Sequence, residues 1–218
     1  MTRLQTLLLA VLLALPVPLL AEAPTTNTSK APAGPYVMDK NHASLLFRVN
    51  HLGFSFYHGR FNGLDGKIEF DPIHPENSKV DTTIDIASVD THNAKLEDEL
   101  RNDQWFNAVK FPTATFHSTK ITRTAPDLFT MEGDLTMMGV THPVTLNVAF
   151  HGYGVFPMNN KPTLGFGAST SIKRSLWGFT KAVPMVSDEV LLQIEAEFNY
   201  VGAVPPPPAA LPGAPATK

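Results

Sequence analysis

The chain has 218 residues and not one cysteine. That excludes a disulfide framework, a thiolate metal site and a thiol nucleophile. Basic runs are also missing: Lys173-Arg174 is the only adjacent basic pair, and 17 Lys and Arg against 20 Asp and Glu leave a net charge of −3. A nucleic-acid binder needs a basic surface that this composition does not supply. Charged residues make up only 17% of the chain and hydrophobic residues 43%, which is too apolar for wholesale disorder. The histidines form no HExxH pair and no G-x-S-x-G elbow occurs, so the common zinc-hydrolase and serine-hydrolase signatures are absent.

The two ends carry most of the 19 prolines. At the start, Arg3 precedes an unbroken apolar run from Leu7 to Leu15, Pro16 and Pro18 close it, and Ala21-Glu22-Ala23 offers a small-x-small cleavage site. This order predicts a secretory signal peptide over residues 1–23, removed on export to the periplasm. The uncharged stretch Leu4–Ala21 is long enough to span a bilayer, but its prolines and cleavage site favour processing, so no stable membrane span is expected in the mature chain. Residues 24–34 are small, polar and proline-containing, and read as a flexible lead. Residues 203–218 include Pro205 to Pro208, Pro212 and Pro215, and read as a disordered tail of polyproline II character. One domain, residues 35–202, lies between.

Inside that domain the hydrophobic period is two. Val80, Thr82, Ile84 and Ile86 alternate with polar neighbours, as do Phe129 to Met137, Val144 to Phe150 and Val190 to Phe198. Each run has one apolar face, the pattern of a half-buried strand. Leu45–Asn50, Arg60–Phe70, Thr113–Ile121 and Thr163–Ile172 complete eight long strands, with a short extra one near Tyr36–Asp39. Only Asn93–Leu100 reads as a helix, capped by Asn93; a short turn is expected at Gly53–His58. Long strands with few helices to cover them must form a sandwich or close on themselves. An eight-stranded antiparallel barrel is either filled by side chains or holds one small ligand, and spacing alone leaves both open.

Candidate chemistry is sparse. Asp39 and His42 lie three apart and could form a dyad, though a turn-capping aspartate with a hydrogen-bonded histidine explains them as well. His51 and His58 flank the turn. Phenylalanine is abundant, at 14 residues, and Phe54, Phe56, Trp105-Phe106 and Trp177 sit at strand ends, where they plug the barrel or line the mouth of a cavity.

Four blocks carry a family resemblance: YVMDKNHASLLFRVNHLGFSFYHGRFNGLDGKIEFDP, SVDTHNAKLEDELRNDQWFNAVKFPTATFHSTKI, GDLTMMGVTHPVTLNVAF and IKRSLWGF. In this order they resemble YceI-like proteins from Tyr36 to Tyr200. Asp39, His42 and Phe47 fit the opening motif, with Ala43 where serine is common. His51, Gly59 and Phe61, Trp105-Phe106 with Pro112, Gly133 to Thr141, and Arg174, Ser175 and Gly178 fit later motifs. Leu96-Glu97-Asp98-Glu99 departs from the family's Arg-Asp and histidine at this place, making the site more acidic. The resemblance implies an all-β, extended lipocalin-like eight-stranded barrel with one short helix, binding a polyisoprenoid or similar long-chain lipid. It allows a homodimer and implies no cofactor and no catalysis.

Joined to the strand alternation, it nominates Phe47, Val49, Ile84, Ile86, Phe116, Leu135, Val148, Phe166, Ile172 and Leu192 as pore lining. Phe54, Phe56, Trp105, Phe106 and Trp177 are nominated for the mouth or end wall. His42, His51 and Arg174 are the headgroup candidates, and no residue is assigned to catalysis or metal. The alternatives are a filled structural barrel without ligand, and an enzyme using Asp39 with His42 or His51 in a polar cavity.

Overall fold

The structure, a computed structural model, describes residues 23–203. The expected signal peptide and proline-rich tail therefore lie outside the described residues, except at their inner edges.

Ten strand segments form one sheet: β1 (Gly34–His51), β2 (Ser55–Phe61), β3 (Leu64–Phe70), β4 (Lys79–Asp85), β5 (Val89–Asp90), β6 (Thr113–Ala125), β7 (Leu128–Met137), β8 (Val140–Phe156), β9 (Lys161–Lys173) and β10 (Val186–Tyr200). The ladder runs β10-β9-β8-β7-β6-β4-β3-β1 and closes through β10–β1 pairing, so the sheet has no open edge around this ring. β2 continues β3 along β1: Phe47 faces Gly59 at one end and Tyr36 faces Ile68 at the other. β5 likewise continues β4, pairing with β2 at Arg60↔Asp90. With β2–β3 and β4–β5 each taken as one broken strand, the molecule is a closed eight-stranded antiparallel barrel. Every neighbour in space is then a neighbour in sequence, apart from the closing pair.

The alternation read from sequence becomes the wall. Along β7, Phe129, Gly133, Leu135 and Met137 are buried, while Glu132 and Asp134 between them are exposed. Buried Tyr36, Phe150 and Leu164 fill one end and Val89, Leu100 and Phe106 lie toward the other. The helix α1 (Ala94–Arg101) forms where expected. Asn93 Oδ1 accepts from the Leu96 N–H, and Glu97 reaches back to accept from the Thr91 N–H, so two otherwise unpartnered donors are met. Its apolar side presents Leu100 to the core, which stabilises the packing by about 1.5–3 kcal/mol.

Several boundaries differ from the expectation. The short strand at Tyr36–Asp39 and the strand at Leu45–Asn50 are one strand, interrupted against β10 by a register shift between Met38 and Ala43. Arg60–Phe70 is broken at Asn62-Gly63, where Gly63 presses against Asp85 and Ser88 and leaves no room for a side chain. The turn expected at Gly53–His58 is tighter: Leu52, Gly53 and Phe54 make it, and β2 already begins at Ser55.

Residues 24–34, expected to be flexible, are docked. The Thr25 N–H and carbonyl pair with Tyr153, and a single 3-10 turn, Thr28–Lys30, is capped by Asn27. The Tyr36 hydroxyl donates to the Pro32 carbonyl and the Tyr200 hydroxyl to that of Ala33. Burial raises the Tyr36 phenol well above its ordinary range, with Tyr153 and Tyr200 adding to it, so the hydroxyl stays a donor.

Candidate functional site

The barrel interior is not filled. A chamber of about 170 Å³ occupies the end near β8–β9, and one of about 390 Å³ the end near α1. Leu45, Ile84, Leu135, Ile172 and Leu192 line both, so the chambers meet at an aliphatic waist. Together they fall within the roughly 300–1,000 Å³ usual for small-molecule sites. β10 lines both, and its run from Val186 to Phe198 spans roughly 30 Å of barrel axis at about 3.3 Å per residue and a tilt of about 40°. The tight interior that a filled structural barrel needs is therefore not present.

The smaller chamber is walled by Met38, Ile68, Phe116, Phe129, Phe150 and Phe198, and Thr28 of the docked lead sits over it. The larger one is walled by Phe47, Phe61, Trp105, Phe106 and Phe179. Phe106 and Phe179 stack at 4.6 Å, and Trp105 meets Phe179 edge-on. This chamber reaches the surface beside exposed His51 and half-buried Tyr57, Ala182 and Val186. Glycine makes room for aromatic rings. A Cβ on Gly59 would strike the ring of Phe47 directly opposite, and one on Gly133 would strike Phe116.

Every nominated pore residue lies in the lining. Phe47, Val49 and Ile86 face the larger chamber, Phe116, Val148 and Phe166 the smaller, and Ile84, Leu135, Ile172 and Leu192 the waist. Trp105 and Phe106 wall the larger chamber. Trp177 does not: it is 1% exposed and absent from either lining, with Nε1 donating to the Leu135 carbonyl and its ring edge-on to His142. Phe54 and Phe56 do not line the pore either. Phe54 is 90% exposed at the turn, and Phe56 points outward under the Arg48 guanidinium, since in β2 it is the alternate Tyr57 that faces inward.

The polar nominees separate. His51 stands at the mouth. Arg174 lies in the chamber wall at 2% exposure, but its guanidinium donates to the carbonyls of Phe179, Lys181, Val186 and Ser187. It is a staple for the 178–187 loop rather than a free cation facing a ligand. Burial lowers the Arg174 pKa, and Asp188 opposes this. Burial pushes Asp188 up in turn, but hydrogen bonds from the Ser175 side chain and N–H and the Arg174 charge outweigh it, so its carboxyl stays below the usual range.

His42 lies outside the pore, in an outer groove with His151, Phe156 and Glu197. Its Nδ1 meets Asp39 at 3.0 Å. That hydrogen bond lowers the Asp39 carboxyl and raises the His42 imidazole from their ordinary values. The dyad lines neither chamber, and His51 stands nine residues beyond His42 at the C-terminal end of β1, so the three do not converge on a polar cavity among the described residues. Among the described residues, no group of three or more His, Asp or Glu is placed to hold a metal ion.

Sequence reasoning missed much of the wall, including Met38, Leu45, Phe61, Phe129, Phe150 and Phe198, and also Ile194. Ile194 and Phe198 stand two and six residues beyond Leu192 on the same alternating run, so the signal was available. Met38 was hidden by the register shift that follows it. Two donors among the described residues are buried without a hydrogen-bond partner, the Trp105 indole Nε1 in the wall region and Arg48 Nε.

The comparisons with known proteins agree with this geometry. The YceI-like domain model matches residues 36–198. Protein YceI of Salmonella arizonae is 40% identical over 173 residues, covering 78% of this chain and 90% of its own. A UPF0312 protein of Azotobacter vinelandii is 38% identical over 173 residues, with the same two shares. Among solved structures, BcnA of Burkholderia cenocepacia aligns at a TM-score of 0.67 with 25% identity, covering 73% of this chain and 98% of its own. A polyisoprenoid-binding domain from Saccharophagus degradans aligns at 0.57 with 16% identity, covering 75% and 97%, and so shares the fold.

Proposed function

Because the chain belongs to the YceI-like family, we propose that its barrel is a binding protein for a long-chain amphiphilic lipid: a polyisoprenoid, an isoprenoid quinone or a fatty-acid derivative. The observation that carries this reading is the pair of apolar chambers that share their lining at Leu45, Ile84, Leu135, Ile172 and Leu192. Burial of the chain's apolar surface supplies the affinity, at about 25 cal/mol per Å². A tail of roughly 20 or more carbons has area for micromolar binding after its ordering is counted. The tail runs through the waist into the smaller chamber. The polar end stays in the larger chamber, toward the mouth that His51 borders. That the Saccharophagus degradans barrel is a polyisoprenoid-binding domain fits this ligand class.

The leader expected over residues 1–23 supports a periplasmic location, and a pore in which no acid, base and nucleophile converge among the described residues supports a carrier or store. Mass spectrometry of an organic extract of the purified protein tests the reading. A prenyl or acyl chain recovered in near-stoichiometric amount, together with saturable lipid titration, is expected. Neither extractable lipid nor saturable binding would overturn it.

A further inference from the structure

The pore mouth carries apolar side chains that the fold does not use. Leu52 and Phe54 make the β1–β2 turn, Phe54 being 90% exposed. The Leu52 N–H donates to the Met185 carbonyl at 2.7 Å, which joins the turn to the 178–187 loop, where Met185 is 59% exposed and Val183 is exposed as well. Leu52 holds φ at +56°, a region in which glycine or asparagine would be cheaper. Neither packing nor backbone geometry calls for leucine and phenylalanine here, so their selection points to something outside the chain.

Charge is arranged to match. The protein is net negative, at −3, yet no Asp or Glu occurs from Lys40 to Leu64 or from Leu135 to Ser187, the stretches that contribute the turn and the loop. Arg48 lies over the Phe56 ring at 4.3 Å and Lys181 Nζ over Trp105 at 5.1 Å, each without a carboxylate partner among the described residues. Glu97 accepts from the Thr91 N–H and Asp188 from the Ser175 hydroxyl, while Asp98, Glu99 and Asp103 stand exposed on and just beyond α1, so the cations belong to the turn and loop side of the opening. Apolar wedges flanked by cations around the opening of an apolar pore fit the interface of an anionic bilayer.

We propose that this end of the barrel docks on an anionic phospholipid membrane, with Leu52, Phe54, Val183 and Met185 inserted at headgroup depth and Arg48 and Lys181 against the phosphates. The pore mouth then opens onto the lipid, and the ligand passes between bilayer and barrel without crossing water. This inference rests on the lipid-binding reading for its purpose, but not for its test.

Phe54→Trp places a reporter at the tip. With vesicles of phosphatidylethanolamine and phosphatidylglycerol, the difference emission against the parent protein should shift to the blue and be quenched by bromolipid. Vesicle binding through any other part of the chain leaves that reporter unshifted. The double substitution Phe54→Ser with Met185→Ser should weaken vesicle binding at the barrel mouth by at least about tenfold, and Lys181→Glu by about tenfold at low salt. The affinity of the Phe54→Ser, Met185→Ser protein for lipid added directly should match the parent's, since neither residue lines the pore, while its uptake of lipid from vesicles should fall with docking. An unshifted difference emission from the Phe54→Trp protein would overturn the proposal. So would a dimer in vesicle-free solution that Phe54→Ser converts to monomer, because the patch would then belong to a second copy. A blue-shifted reporter in a protein without extractable lipid would leave docking in place and sink the carrier reading instead.

Discussion

A cation in an apolar wall invites assignment to a ligand's headgroup, and Arg174 shows what decides the matter. Its donors are already met by the carbonyls of Phe179, Lys181, Val186 and Ser187. A guanidinium suits this task because its planar fork can serve several acceptors at once, which an ammonium cannot. Replacing it by methionine keeps much of the volume, leaves these carbonyls without their donor and removes the positive charge near Asp188. Arg174→Met is expected to cost about 3–5 kcal/mol of stability. Urea unfolding of the two proteins measures it. A loss below about 1 kcal/mol, the range of an exposed ion pair, would refute the staple role and return Arg174 to the headgroup candidates.

At the scale of elements, the strands were legible because a wall buried on one face must alternate. Val80–Ile86 and Phe129–Met137 show this without interruption. Legibility failed where the alternation breaks. The polar run Asp39-Lys40-Asn41-His42 fills the register shift in β1, so one strand reads as two. The docked lead was unreadable for another reason: its anchors are backbone pairing at Thr25 and the hydroxyls of Tyr36 and Tyr200, and composition records neither. In the site, alternation identified which strand residues face inward. It could not place Phe54, Phe56 and Trp177, which sit at the turn, just after it and in the 3-10 turn Arg174–Trp177, where the period lapses. A paired feature inside β1 and β2 gives the element-scale test. The tip of the Phe47 ring covers Gly59, so the pore's width there depends on an absent side chain. Gly59→Val must swing that ring into the larger chamber, at an overpacking cost of about 1–3 kcal/mol. Lipid capacity is expected to fall while the circular dichroism of the barrel persists. Unchanged capacity would mean that the ring has room to retreat without narrowing the chamber.

For the whole molecule, the question is whether the two chambers act as one pore. Closure of β10 on β1 fixes the cross-section, since a closed barrel cannot widen without breaking a ladder. Length is then the only dimension in which ligands can be sorted, and the waist at Leu45, Ile84, Leu135, Ile172 and Leu192 divides that length. A bulky side chain at the waist should therefore separate ligands by chain length rather than abolish binding. Leu135 is buried and faces both chambers, and its carbonyl already anchors Trp177, so the backbone there is held in place. Leu135→Trp is expected to weaken a long prenyl chain by at least about tenfold, since the part of the tail excluded from the smaller chamber loses its burial at about 25 cal/mol per Å². A short-chain amphiphile that fits the larger chamber of about 390 Å³ alone should bind the variant nearly as well as the parent. Calorimetric titration of both ligands reads the ratio directly. Equal losses for the two would show that the chambers fill independently of the waist, and equal retention would place the long tail outside the barrel axis altogether.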